Sequence, residues 1–263
     1  MALDTTQLQG RARVGDAGER LAGRRALFAR RPVAAVLALW AGLLAFNTGA
    51  GLALQALAPH LPARVPDLLV LGADTVAIVA LLAGLGWWRE AGFNHPAAWR
   101  NLHLLWLPAA LVFVLPFTRG ISTAEAGALP FLALGYALTG FTEEAWWRGL
   151  ALRVLRPSGV VRAIVLTAVL FGSLHLGNLV FRGNPALVLG QVVGATCFGL
   201  AYAALRVRTN TIWFLLPLHM FTDLLLHVTA LPAIPLEVGR DVILLGFGLY
   251  LLRGLRGELG VDG

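Results

Sequence analysis

Lysine does not occur in this 263-residue chain, so its 21 basic Lys-or-Arg positions are all arginine. Cysteine occurs once, at Cys197, which excludes an internal disulfide and a cysteine-built metal site. Charge is scarce: 13% of the residues are Asp, Glu, Lys or Arg, where soluble domains carry about 25%. No fixed-period repeat and no low-complexity tract appears, which excludes a solenoid or a simple linker. A net charge of +7 with a pI near 11.1 would suit a nucleic-acid partner. The arginines, however, sit at the ends of apolar runs rather than on one basic face, so no nucleic acid is expected.

What fills the chain is apolar: 58% hydrophobic residues and a mean hydropathy of +0.74. That composition predicts an all-α, polytopic membrane bundle in one domain. Eight spans are expected, over about 32–57, 68–88, 102–117, 129–150, 161–181, 186–205, 212–231 and 242–252. Their lengths suit a hydrocarbon core about 30 Å thick. The transmembrane domain is placed at 32–253, with a short cytoplasmic tail at 254–263. Residues 1–31 are read as a disordered basic cytoplasmic tail, and its Arg24-Arg25 and Arg30-Arg31 pairs suit anionic lipid. Arginine placement orients the bundle. One end collects the tail arginines, Arg89, Arg100, Arg153, Arg156, Arg162, Arg206, Arg208, Arg253 and Arg256. The other end holds Arg64, Arg119, Arg182 and Arg240. By the positive-inside rule both termini are expected in the cytoplasm.

Against this background the intramembrane ionisable groups stand out, because each costs about 2.5–3.5 kcal/mol at mid-membrane on insertion scales. Glu143-Glu144-Ala145-Trp146-Trp147-Arg148 closes the fourth span. Glu144 and Arg148 are four apart in the favourable acid-then-base order and are expected to pair. Glu143, about 100° round the helix, is left free to act. His175 falls in the fifth span, while His219 and Asp223 share one face of the seventh. Each has a bland reading when taken alone: a structural ion pair, a histidine bonded to a neighbouring helix, packing glue. Two carboxylates and two imidazoles from three helices at similar depth argue instead for a built site. Asp74 has no partner visible in sequence and is read as bonding across helices or lining a cavity. Trp146 and Trp147 are candidates for lining substrate access.

The ordered motifs Glu143-Glu144-x-x-x-Arg148, Phe171-x-x-x-His175 and His219-x-x-x-Asp223 resemble the signature of the CPBP family, the CAAX-protease and bacteriocin-processing (Abi) intramembrane proteases. The resemblance covers about residues 125–230, and residues 1–120 contribute topology only. It implies a helical bundle around a polar cavity open to the cytosol, in which a peptide bond of a membrane-embedded or lipid-anchored substrate is hydrolysed. Glu143 is the candidate base, with His175 positioning the water or protonating the leaving amine. His219 would face the oxyanion, and Arg148 would hold Glu144. Asp223 stands where the family has Asn, and an ionised carboxylate cannot donate to an oxyanion. It is therefore protonated, or orients His219, or joins Glu143, His175 and His219 around a divalent metal such as zinc, which would make the enzyme a metalloprotease. Two further readings stay open: a proton-coupled transporter or channel, and a catalytically silent peptide-binding or immunity relative.

Overall fold

The computed structural model describes residues 22–23, 25–62 and 64–258. Most of the 1–31 tail and residues 259–263 lie outside the described residues. The described part of that tail is not a coil, for 25–30 is helical. Arg25 is drawn to the bundle, donating from Nε to the Leu85 carbonyl at 2.9 Å and from Nη2 to the Gly86 carbonyl at 3.1 Å.

Eight helical elements follow among the described residues. Helix α1 is Pro32–Leu57 and α2 is Val65–Leu85. Helix α3, Trp106–Phe113, is flanked by 3-10 turns at Trp99–Leu105 and Leu115–Phe117. Helix α4 runs Leu129–Glu144, continues as a π-helix through Ala145–Ala151 and ends in the turn Leu152–Leu155. Helix α5, Val160–Leu174, tightens to a 3-10 helix at His175–Val180. Helices α6, α7 and α8 are Pro185–Thr209, Leu215–Leu224 and Ala233–Glu258. Among the described residues the only β pairing is an isolated bridge between Ile121 and Thr229.

Local sequence sets many of these ends. Proline in the first turn opens α1, α2, α4 and α6, where its missing N–H has no partner to lose. Asn184 caps α6 by accepting from the Ala186 and Leu187 N–H groups. Left-handed Gly86 and Asn210 stop α2 and α6.

Five helical runs are long and apolar enough to cross a membrane: Pro32–Leu57, Val65–Leu85, Trp99–Phe117, Val160–Val180 and Pro185–Thr209. The chain is thus an all-helical, multi-pass membrane protein. The three other expected spans depart from the hydropathy reading. The fourth is helical but carries the acidic motif and its π-wound stretch. The seventh is expected over 212–231, yet α7 is ten residues long, with one further 3-10 turn at Leu225–His227. It stops there because Ser122 N–H donates to the Val228 carbonyl and Ala230 N–H to the Gly120 carbonyl, which requires extended backbone. The eighth reaches well beyond 242–252, and its added N-terminal turns carry Glu237, Arg240 and Asp241.

Helix α6 is the central post: half of its apolar window is buried, against 6% for α1. Two glycines allow close helix crossings. A Cβ on Gly140 would lie 3.0 Å from the Leu216 carbonyl oxygen and 3.1 Å from Met220 N, so α4 meets α7 backbone to backbone. A Cβ on Gly172 would overlap Thr196 of α6. The first contact brings the acidic motif against His219.

Candidate active site

At the α4–α7 crossing, Glu144 is fully buried, with 0% of its side chain exposed. Its Oε1 lies 3.0 Å from Arg148 Nη1 and accepts from His219 Nδ1 at 2.8 Å. The pairing expected from the i,i+4 spacing is present, and the same carboxylate also fixes the imidazole. The Arg148 side chain is 1% exposed and lays its guanidinium over the Phe171 ring, 4.4 Å from the centroid, with Phe198 at 5.3 Å. Aromatic faces therefore meet a cation whose Nη2 has no hydrogen-bond partner among the described residues. Phe198 also packs on His219, with ring centroids 4.7 Å apart. The ring of His219 is held by one carboxylate and one phenyl group.

The other imidazole nitrogen faces two more acids. Nε2 of His219 is 3.5 Å from Glu143 Oε2 and 3.7 Å from Asp223 Oδ2. The Glu143 side chain is 25% exposed, unlike its buried neighbour. His175 sits where α5 tightens into its 3-10 turn, with Nδ1 3.2 Å from the Phe171 carbonyl oxygen. Phe171 stands between the two imidazoles, edge-on to His175 with centroids 5.4 Å apart and edge-on to His219 at 6.4 Å. All six residues singled out in the sequence are thus gathered around Phe171 and the α4–α7 crossing.

A cavity of about 820 Å³ adjoins this cluster. Of the six residues, Glu143 and His175 line it; Glu144, Arg148, His219 and Asp223 do not. Trp146 and Trp147 line it as well, as does Asp74, which is 7% exposed and faces the Asn47 amide. Its inner end is closed by buried Thr142 and Trp147, and its lining becomes exposed at Gln55, Pro59 and Asp67. The mouth thus lies beside the turn joining α1 to α2, the arginine-poor end of the bundle. The cytosol-facing reading with cytoplasmic termini expects an opening at the arginine-rich end. The opposite end is filled by the segment between α2 and α3, where buried Arg206 reaches the Ala91 and Glu90 carbonyls at 3.4 and 3.3 Å.

Residues before 120 do more than set topology. Asn47, Gly51 and Gln55 line the cavity from α1 at spacings of four. That small and polar stripe in an otherwise apolar span was the available signal.

As for a metal, among the described residues no group of three His, Cys, Asp or Glu side chains is arranged to hold one. Nδ1 of His175 is turned to a backbone carbonyl and Nδ1 of His219 to Glu144. Those contacts leave each Nε2 available, as in metal-ligating histidines; it is the lack of three converging donors that leaves the expected Glu143, His175, His219 and Asp223 shell unformed among the described residues, and no step below passes through a metal.

Residues 125–225 match the family model described as type II CAAX prenyl endopeptidase Rce1-like. The matched stretch is less than half of the chain but holds all six site residues, and it names the CAAX-protease family that the three motifs resemble. No curated protein and no solved structure matches the chain.

Proposed function

We propose that the protein is an intramembrane endopeptidase that hydrolyses a peptide bond of a membrane-associated polypeptide, with Glu143 as general base. The observation that carries this is the division of the two adjacent glutamates. Glu144 is sealed away and spent on Arg148 and His219, while Glu143 keeps part of its side chain exposed in the cavity it shares with His175. The match to an endopeptidase family over this same stretch supports it.

In this reading a water rests between Glu143 and His175. With Nδ1–H of His175 donated to the Phe171 carbonyl, Nε2 carries the lone pair and points the water. Glu143 takes a proton as the water oxygen attacks the carbonyl carbon. When the tetrahedral intermediate breaks its C–N bond, that proton passes to the leaving amine. His219 is read here as a positioning residue: it does not line the cavity, so the oxyanion role expected of it passes to a group that does. Glu144 and Arg148 fix His219, and through it the Glu143 carboxylate. Asp223 is a second acid beside the same Nε2.

Glu143→Gln tests this. In proteoliposomes, release of peptide fragments followed by mass spectrometry should fall at least about 100-fold, the low end for losing a general base. Unchanged release would end the peptidase reading. The transporter reading needs a path through both leaflets, whereas the lining residues Thr142 and Trp147 at the cavity's inner end are buried. A proton flux across the same proteoliposomes that Glu143→Gln abolishes would restore it.

A further inference from the structure

Beyond the cavity, a second hydrogen-bonded chain runs along the α4–α7 seam, and the reaction above uses none of its members. On α7 and the turn that ends it, His219, Asp223 and His227 follow one another at spacings of four, as Tyr136, Gly140 and Glu144 do on α4. Contacts close the seam at both ends. Glu144 holds His219 at one, and at the other Tyr136 Oη lies 2.7 Å from His227 Nε2. The two rungs are about 12 Å apart along α4 at 1.5 Å per residue. Asp223 stands between them, 3.7 Å from His219 Nε2 and within electrostatic reach of Tyr136.

The outer end of this chain fixes its direction. Nδ1 of His227 is 3.1 Å from Glu125 Oε2, which also accepts from Arg64 Nη2 at 3.1 Å. An ionised carboxylate only accepts, so Nδ1 carries a proton. In the neutral ring Nε2 is then the acceptor, and Tyr136 donates its single proton there. Its oxygen presents a lone pair to Asp223. An imidazolium has a proton on both nitrogens, so charging His227 makes Nε2–H the donor. The Tyr136 O–H must then turn about its C–O bond, away from the ring and toward Asp223. One hydroxyl reverses its polarity while His227 keeps both hydrogen bonds. Imidazole is the side chain that changes charge between about pH 5 and 8. Around this one stand Glu125 with Arg64, Tyr136 from α4 and Asp223 on its own helix. Arg182 is within reach of Tyr136, and Arg240 of α8 donates to the Thr222 carbonyl at 3.2 Å. Helix α3 and the 120–123 segment, which also pack on α7 and its end, bring no ionisable side chain.

We infer that Tyr136 is a positioning residue for Asp223 and His219, and that the charge on His227 sets which way its hydroxyl points at them. The part played in the reaction rests on the peptidase reading above; the turning of the hydroxyl does not. With an O–H facing it, Asp223 gains a second polar partner and is drawn from His219 Nε2, which keeps Glu143 as its neighbour. Activity therefore falls as His227 becomes charged. The chain has three tyrosines, Tyr136, Tyr202 and Tyr250, few enough to resolve. In the full-length protein carrying ring-labelled tyrosine, the infrared phenol C–O stretch reports whether the oxygen accepts a hydrogen bond. Between about pH 8 and 5, one tyrosine band should shift in the wild type. That shift should be absent from Tyr136→Phe and from His227→Gln. Glutamine at 227 accepts from Tyr136 and donates to Glu125 as neutral imidazole does, but it cannot charge. No shift in the wild type, or one that survives in His227→Gln, overturns the switch. Peptide release from proteoliposomes gives the second readout, each pH profile scaled to its own maximum. The wild type should show one more ionisation than His227→Gln between about pH 5 and 8. Superimposable profiles overturn the positioning role. The infrared band needs no turnover, so the switch stands or fails apart from the loss of product in Glu143→Gln.

Discussion

Adjacent glutamates acquire different chemistry from surroundings about 100° apart on one helix. Glu144 meets a guanidinium and an imidazole in a dry interior, whereas Glu143 meets the cavity. Arg148→Met should therefore cost about 3–5 kcal/mol, the usual penalty for leaving one charge of a buried pair alone. The check is the thermal midpoint in detergent, and Glu144→Gln combined with Arg148→Met should recover part of the loss. At the arginine-poor surface, Glu125 accepts from His227 Nδ1 at 3.1 Å and from Arg64 Nη2 at 3.1 Å. These contacts, the His227 hydrogen bond foremost, hold its carboxyl below the usual 4.5. A depressed carboxylate contributes stability above its unfolded value and loses it as pH falls through its folded value. The difference in melting temperature between wild type and Glu125→Gln should accordingly be constant above about pH 5 and shrink on acidification. A difference that grows on acidification would contradict the sign.

At the scale of elements, the site depends on one tight crossing. Gly140 lets α4 lie against the α7 backbone, and that contact sets the distance from Glu143 and Glu144 to His219. Gly140→Val places branched carbon against the Leu216 carbonyl oxygen and Met220 N, which a Cβ alone would approach to 3.0 and 3.1 Å. The helices must part, and a shift of about 1 Å is enough to lower kcat about 100-fold. Peptide release should fall accordingly while the helical circular dichroism is kept. Wild-type kcat in the Gly140→Val protein would show that the crossing does not set the geometry. The π-wound Ala145–Ala151 and the truncated α7 belong to this scale too. Both depart from the regular helix that hydropathy implies, and both lie beside the reacting groups, where irregular backbone is tolerated because neighbouring helices satisfy it.

For the whole molecule, the bundle holds a cavity of about 820 Å³ whose lining becomes exposed toward the arginine-poor end. If Glu143 and His175 activate water without a metal, activity should survive exhaustive chelation followed by purification in metal-free buffer. Peptide release should then stay within about two-fold of the untreated protein, a difference worth less than about 0.5 kcal/mol in the barrier. Loss of activity restored by added zinc would return the metal shell to consideration.

The sequence alone determined that this is a helical membrane protein, because a chain so apolar has no other way to satisfy its backbone in lipid. It also determined which ionisable residues matter, because a charge inside a span is too costly to be accidental. The Glu144–Arg148 pair was legible for the same local reason, since four-residue spacing fixes who meets whom along one helix. Spacing within a helix says nothing about depth or partners across helices. Only the tertiary structure could decide that Glu144 rather than Asp223 holds His219 at 2.8 Å, that α1 and Asp74 complete the cavity, and that its lining becomes exposed toward the end with fewer arginines. Those outcomes follow from how closely glycines let helices approach, which is a property of pairs of surfaces and not of any one segment.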